Sequence, residues 1–289
     1  MIQLPLQVKV PLKQVRWQLR RTQAGLRWGN AELQRMPVVI ANSMPKSGSH
    51  LIIQILEGLP QIGPFVNPGV PPLNRNERND KQPDDVIIQK LHRLKPGDFT
   101  YCYLPAKEPF VSELLNPRIA PIFVSRDPRD TIISHVFYAT ELNPKHQLRP
   151  YYRDVLKTME ERIDATIHGI NDGEYRLGNV AVKYRAYLPW FEHPEVLCLR
   201  FEDLVLDRNA SIARILDLLA AHGFTPRVSR DEAIQKLAGS IQPKRSGTFR
   251  KGQPGNWREH FTAANIRHFK EKTGDLLIQM GYEKNRDWK

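Results

Sequence analysis

The stretch VVIANSMPKSGSHLII, residues 38–53, constrains the fold more than any other part of the chain. A β-branched run, Val38–Asn42, stops at a turn of small residues, and a second apolar run starts at Leu51. The first run is short, bounded by a turn, and reads as a buried strand; the second predicts a helix over 49–58. Two further strands are expected at Ile119–Ser125 and Val196–Arg200. Helical stretches are expected at 127–142, with Asp127 as cap and Pro128 in the first turn, and at 151–169, 178–191, 209–223 (stopped by Gly223) and 262–282. Strands that alternate with helices predict an α/β fold with a mainly parallel central sheet flanked by helices, in three layers. In such sheets ligands bind beyond the carboxyl ends of the strands, which is where residues 43–49 are delivered.

Ser47-Gly48-Ser49 opens a helix, so its small residues let backbone N–H groups close on an anion that the helix dipole also favours. Lys46 adds a full charge, and Ser49 and His50 add donors. An ordinary strand-to-helix turn is the plainer alternative. A Walker phosphate loop carries its lysine after the second glycine. Here Lys46 stands two residues before Gly48, and no clear Walker B aspartate follows a strand, which argues against a nucleotide kinase. Two distant segments add basic groups. VSRDPRDTIISH puts Arg126 at a strand end, where a guanidinium can grip a phosphate, and Ser134 eight residues on. FRKGQPGNWREHFT sets Arg250 and Lys251 before Gly252, a basic loop able to close over a second phosphate.

The 289 residues are 40% hydrophobic, enough for one large α/β domain, expected at 37–289 after a basic extension at 1–36. A net charge of +12 suits an anionic ligand; no nucleic-acid motif accompanies it. Cys102 and Cys198 lie far apart without metal-ligand spacing and read as free thiols of a reducing, cytoplasmic compartment, with no metal site expected. The first 35 residues carry Lys9, Lys13, Arg16, Arg20, Arg21, Arg27 and Arg35 against Glu32 alone. This predicts a basic surface helix around 12–28, with weak contact to an anionic surface as a second reading.

Together the three segments resemble the sulfotransferases that use 3′-phosphoadenosine 5′-phosphosulfate (PAPS). Pro45-Lys46-Ser47-Gly48-Ser49-His50 is similar to that family's 5′-phosphosulfate loop, Arg126 with Ser134 to its 3′-phosphate site, and Arg250-Lys251-Gly252 through Trp257 to its closing loop. The likeness covers roughly 37–284. It implies a P-loop-like fold, PAPS as donor and 3′-phosphoadenosine 5′-phosphate (PAP) as product. Lys46 would neutralise the leaving oxygen, and Arg126, Ser134, Arg250 and Lys251 would read the 3′-phosphate. Tyr184 and Phe249 are candidates for adenine contact or for core packing. Phe201-Glu202-Asp203 looks like a structural strand-end signature of the family. The acceptor is expected to be a small molecule or carbohydrate hydroxyl, or, as alternatives, a nitrogen. A catalytically silent PAPS- or PAP-binding protein is the rival outside enzymes.

The sequence departs from the family at the base. A histidine usually stands before Leu-Pro in this segment; here Tyr103 precedes Leu104-Pro105, and Tyr101 stands where many members have lysine. Neutral tyrosine, with a pKa near 10, is a poor base, so Tyr103 is expected to orient the acceptor. His92 is the alternative base, with His135, Glu77, Asp80, Asp84 and Asp85 considered beside it. Leu51 replaces the family's tryptophan after the loop.

Overall fold

Strands covered on both faces read as unbroken apolar runs, because neither face meets water. The computed structural model describes residues 5–242 and 252–289. In chain order the elements are α1 (Leu6–Trp28), α2 (Asn30–Arg35), β1 (Val38–Ser43), α3 (Ser49–Leu56), α4 (Asp84–His92), β2 (Phe99–Cys102), α5 (Phe110–Leu114), β3 (Ile119–Ser125), α6 (Pro128–Phe137), α7 (Met159–His168), β4 (Ile170–Asp172), β5 (Tyr175–Leu177), α8 (Val180–Arg185), β6 (Leu197–Arg200), α9 (Phe201–Leu206), α10 (Arg208–Ala221), α11 (Arg230–Gly239), α12 (Ala263–Thr273) and α13 (Leu276–Gln279). The chain divides into two compact units, one made of Met1–Ser125 with His193–Pro243, the other of Arg126–Glu192 with Lys244–Lys289.

The first unit holds a four-stranded sheet in the order β2-β1-β3-β6, and every pairing in it is parallel. All residues of β1 and β3 are buried, as the apolar runs required. Val39 and Ala41 of β1 pack on one face with Ile52, Ile55 and Leu56 of α3, Ile212, Ile215 and Leu216 of α10, and Leu237 of α11. Parallel register aligns Asn42 with Cys102 and Ser43 with Val124, so β1, β2 and β3 end together. The sequence reading missed β2. Its four residues are flanked by Gly97 and Leu104-Pro105, and the polar Thr100 interrupts the run, although that side chain is buried.

The basic N-terminal helix forms and extends back to Leu6. Its inner face is tied to the unit: Trp17 Nε1 and Arg21 Nη1 donate to buried Asp98 at 3.0 and 2.8 Å, and Lys13 donates to Glu77 at 2.7 Å. Burial raises the Glu77 carboxyl, but hydrogen bonds from Lys13 and Lys9 outweigh it and hold the pKa below its ordinary value. Residues 71–85, polar and proline-rich in sequence, are bonded in place. Lys90 Nζ donates to the carbonyls of Leu73 and Arg75, Gln82 N to Asn74 O, and α4 begins at Asp84.

In the second unit the long expected helices are shorter because their caps intervene. The 151–169 stretch breaks where Thr158 and Glu161 form a capping box that starts α7. The 262–282 stretch starts from a second box, Thr262 with Asn265, and is split by Gly274 at φ 58° into α12 and α13. Within 178–191, α8 ends at Arg185 and a separate tight turn spans Leu188–Glu192. A short antiparallel hairpin, β4 with β5, was not foreseen.

Candidate active site

β1 delivers its chain to the loop Met44–Gly48, and α3 carries it away. Two residues of that loop sit in the left-handed region, Lys46 at φ 71° and Gly48 at φ 90°. Gly48 has no alternative: a Cβ there would lie 2.5 Å from Phe201 Cδ2, and the backbone angle disfavours any other residue. The Phe201-Glu202-Asp203 segment therefore braces the loop, with Phe201 against its tightest point. Gly48 caps α3 without a side-chain hydrogen bond, so the first N–H groups of the helix point out of its start without a cap. Ser47 is buried and its Oγ has no hydrogen-bond partner among the described residues; the same holds for Ser43 at the end of β1 and Ser125 at the end of β3. Buried hydroxyls without partners at the ends of adjacent strands, beside uncapped N–H groups and Lys46, fit an anionic group. Desolvation first and the Lys46 charge second push the His50 imidazole below its ordinary pKa, so His50 brings a neutral ring to the loop.

Tyr103 is brought to the same loop. Its hydroxyl lies 2.8 Å from Ser49 Oγ at the start of α3. Two amides that the sequence reading did not single out fix it there. Buried Asn42 donates from Nδ2 to Leu104 O at 2.9 Å and accepts from Leu104 N at 2.8 Å, clamping the turn just past Tyr103. Asn74 Oδ1 accepts from Tyr103 N at 3.1 Å. Tyr101 meets Tyr103 edge to face with ring centroids 6.0 Å apart, and burial pushes the Tyr101 phenol up to about 12. Parallel register was the signal available for Asn42, since a buried amide one residue before a strand's end faces the neighbouring strand's exit.

Apart from exposed Asp85, the alternative bases are placed elsewhere or engaged. His92 ends α4 with its ring 2.9 Å from Glu113, and the chain must still traverse β2 before it reaches Tyr103. Glu77 is paired with Lys13 and Lys9, Asp80 accepts from Asn76, and Asp84 pairs with Lys107. The His135 ring stacks edge-on against His146 and Tyr152.

In the second unit, Arg126 lies 3.6 Å from buried Asp130 in an i,i+4 pair, and Ser134 follows one turn further on the same side of α6. Asp130 also accepts from Gly255 N at 2.8 Å and Trp257 N at 2.9 Å, so it anchors the segment that follows Gly252. Arg129 is a structural cation, buried, paired with Asp127 and Glu283 and stacked on Trp257 and Trp288. The Tyr184 ring is enclosed, and its hydroxyl donates to Arg126 O at 3.2 Å and meets Thr131 Oγ1 at 2.8 Å. Its hydroxyl thereby holds the Arg126 backbone. Gly252 adopts φ 64°, while Phe249, Arg250 and Lys251 lie outside the described residues.

A family profile described as Sulfotransferase domain matches residues 37–281. A 3-alpha-hydroxysteroid sulfotransferase of Cavia porcellus is 22% identical over 177 residues, 55% of this chain and 56% of that protein. Sulfotransferase 2B1 of Mus musculus is 23% identical over 180 residues, 56% of this chain and 49% of that protein. The chain thus spans about half the length of the curated relatives it matches. Among solved structures, mouse sulfotransferase SULT7A1 complexed with PAP is similar with a TM-score of 0.60 at 18% identity, covering 86% of this chain and 88% of that one. Retinol dehydratase in complex with androsterone and PAP gives 0.57 at 17% identity, covering 89% and 85%. At such identities the likeness speaks for the fold, a P-loop-like α/β arrangement around a parallel sheet. A profile that begins at the residue before β1 and runs through α13 takes in every motif described above, and on that match the chain belongs to the sulfotransferase domain family.

Proposed function

We propose that this chain is a PAPS-dependent sulfotransferase that sulfates the hydroxyl of a small molecule. The observation that carries this reading is the hydroxyl of Tyr103 held 2.8 Å from Ser49, on the loop that Lys46 charges. In this reading a donor-side loop and an acceptor-side group share one place at the carboxyl ends of β1 and β2. Bound PAPS supplies the sulfuryl group, and PAP is the product. In this reading Pro45 through His50 hold the phosphosulfate, with Ser47 Oγ and the first N–H groups of α3 as donors. Lys46 neutralises charge as it develops on the leaving side. Arg126 and Ser134 take the 3′-phosphate, with Arg250, Lys251 and Gly252 assigned to the same group by the family resemblance. Tyr184 supports Arg126 from behind. The names of the relatives, a hydroxysteroid sulfotransferase and a neighbour complexed with androsterone, favour an apolar alcohol over a carbohydrate. The Tyr101–Tyr103 pair offers such an acceptor a flat aromatic surface.

Donor identity is tested by calorimetric titration. PAP binds far more tightly than AMP, and Arg126→Ala removes roughly 1.5–3 kcal/mol of PAP binding, the scale of a charged hydrogen bond, while leaving AMP nearly unchanged. Equal affinity for the two nucleotides would take the 3′-phosphate site out of this reading. Screening alcohols with PAPS and following PAP release then finds the acceptor.

One observation favours the silent-binder reading: His92, Glu77, Asp80 and Asp84 are each engaged by other groups, which leaves a tyrosine at the usual histidine position. The two readings separate at Tyr103. If its hydroxyl orients the acceptor, Tyr103→Phe lowers turnover modestly, about 10-fold or less, the worth of one neutral hydrogen bond. Tyr103→His, which restores the family's residue, keeps or raises turnover. A near-total loss in Tyr103→Phe with donor affinity intact, and a parent rate climbing toward pH 10, would make Tyr103 the base. No turnover in either the parent or Tyr103→His, with PAP still bound, would leave a binding protein.

A further inference from the structure

The outer face of α1 carries an apolar row. Val8, Val15, Leu19 and Leu26 are 52%, 55%, 57% and 83% exposed. At 100° per residue they fall within about 40° of one another around the helix, and the row is roughly 27 Å long at 1.5 Å per residue. The opposite face is the one that packs: Trp17 and Arg21 bond Asp98, and Ala24 lies in a cluster with Leu33 and Val66. Single exposed aliphatic residues are ordinary on a protein surface, but four in line on one helix are not.

The charge around the row is one-sided. Lys9, Arg16, Arg20 and Arg27 follow one flank, Lys9 paired with Glu77 and Arg20 donating to Asn67 O, while Gln7, Gln14, Gln18 and Thr22 follow the other. Residues 1–31 contain no Asp or Glu, and the whole chain carries +12. A second copy of the chain laid against this face would find no acidic side chain on α1 to meet these cations. A flat apolar row beside a cationic flank suits the interface of an anionic bilayer, where the aliphatic side chains enter the acyl boundary and the arginines meet the headgroups.

We infer that the outer face of α1 docks the protein on an anionic lipid surface. This inference stands apart from the sulfotransfer reading, since it uses no residue of the phosphate loop or of Tyr103. The test is co-sedimentation of the full chain with vesicles of phosphatidylcholine containing roughly one third phosphatidylserine, and with phosphatidylcholine alone. The chain is expected in the pellet with the anionic vesicles and not with the neutral ones. Raising salt to roughly 0.5 M weakens the association by about 10-fold or more, because the headgroup attraction is screened. The double variant Leu19→Glu with Leu26→Glu loses binding by a similar factor while its circular dichroism and unfolding midpoint match the parent, since both side chains lie in solvent. Failure of the parent to bind anionic vesicles would overturn the inference, as would full binding by the double variant. A parent dimer that the double variant turns into a monomer would also overturn it, by showing that a second copy covers the row.

Discussion

Replacing Lys46 by alanine lowers turnover by about a hundred- to a thousandfold, the range for removing one preorganised charge-stabilising donor, and weakens PAP binding far less. The difference between the two effects is the content of the prediction. An ammonium that meets the donor equally before and during reaction would change affinity and turnover alike; one whose interaction grows as charge develops on the leaving side changes turnover. The backbone does not confound the substitution. Lys46 sits at φ 71°, where alanine and an unbranched lysine carry similar strain, so the substitution leaves that demand where it was. The loop keeps its other fixed points, Gly48 against Phe201 and Ser49 against Tyr103. His50 supplies an internal check. Its pKa is depressed first by desolvation and second by Lys46, so in Lys46→Ala it rises part of the way toward its ordinary value if the loop has stayed in place. Followed by NMR, that partial rise beside a collapsed turnover assigns the loss to the missing charge. A higher donor KM with unchanged kcat would remove Lys46 from the chemistry.

The strand-to-helix loop was legible because everything that defines it is local. An apolar run, small residues and a lysine lie within a dozen positions, and the physics that joins them is the geometry of one turn. The parallel sheet was legible for a related reason, since β1 and β3 are buried on both faces and the chain had to write them as unbroken apolar runs. β2 escaped because it is four residues long and carries Thr100, whose burial depends on neighbours that the strand itself does not name. The helices of the second unit were overdrawn for the opposite reason. Periodicity continues across Thr158 and Gly274, but a capping box and a left-handed glycine end the hydrogen-bond ladders there. At the site, the long-range fixings were not legible. Asn42 reaches Leu104, and Asp130 reaches Gly255 and Trp257, across 62, 125 and 127 positions. Neither pairing leaves a periodic trace. The bond from the Tyr184 hydroxyl to Arg126 O was not legible either, because it joins residues 58 positions apart.

Asp130→Ala is expected to cost roughly 3–5 kcal/mol of stability, the scale for removing one partner of a buried charged cluster. The carboxylate is buried and accepts from Gly255 N and Trp257 N, with Arg126 Nη2 at 3.6 Å. Alanine leaves both N–H groups without that acceptor and removes one negative charge beside Arg126, while little of the surface opens to let water replace it. The segment from Gly252 to Trp257 is then released at its anchored end, so amide exchange at Gly255 and Trp257 speeds up and PAP affinity falls with it. The pH dependence has a definite sign. Burial raises the Asp130 pKa, and the pull of Arg126 and of the two N–H donors does not cancel it. Between the ordinary aspartate pKa and this raised value the native protein holds a proton that the unfolded chain has released. Native stability from this group is therefore full below the ordinary pKa and declines as pH rises through the raised one. Asp130→Asn keeps the shape, cannot titrate, and lacks the second acceptor oxygen. Its unfolding free energy subtracted from that of the parent isolates the group from other carboxylates, and the difference should shrink as pH climbs from about 4. A pH-independent difference would mean that Asp130 has the same pKa folded and unfolded. An unchanged unfolding midpoint in Asp130→Ala, with Gly255 and Trp257 still protected, would show that the closing segment is anchored by something else.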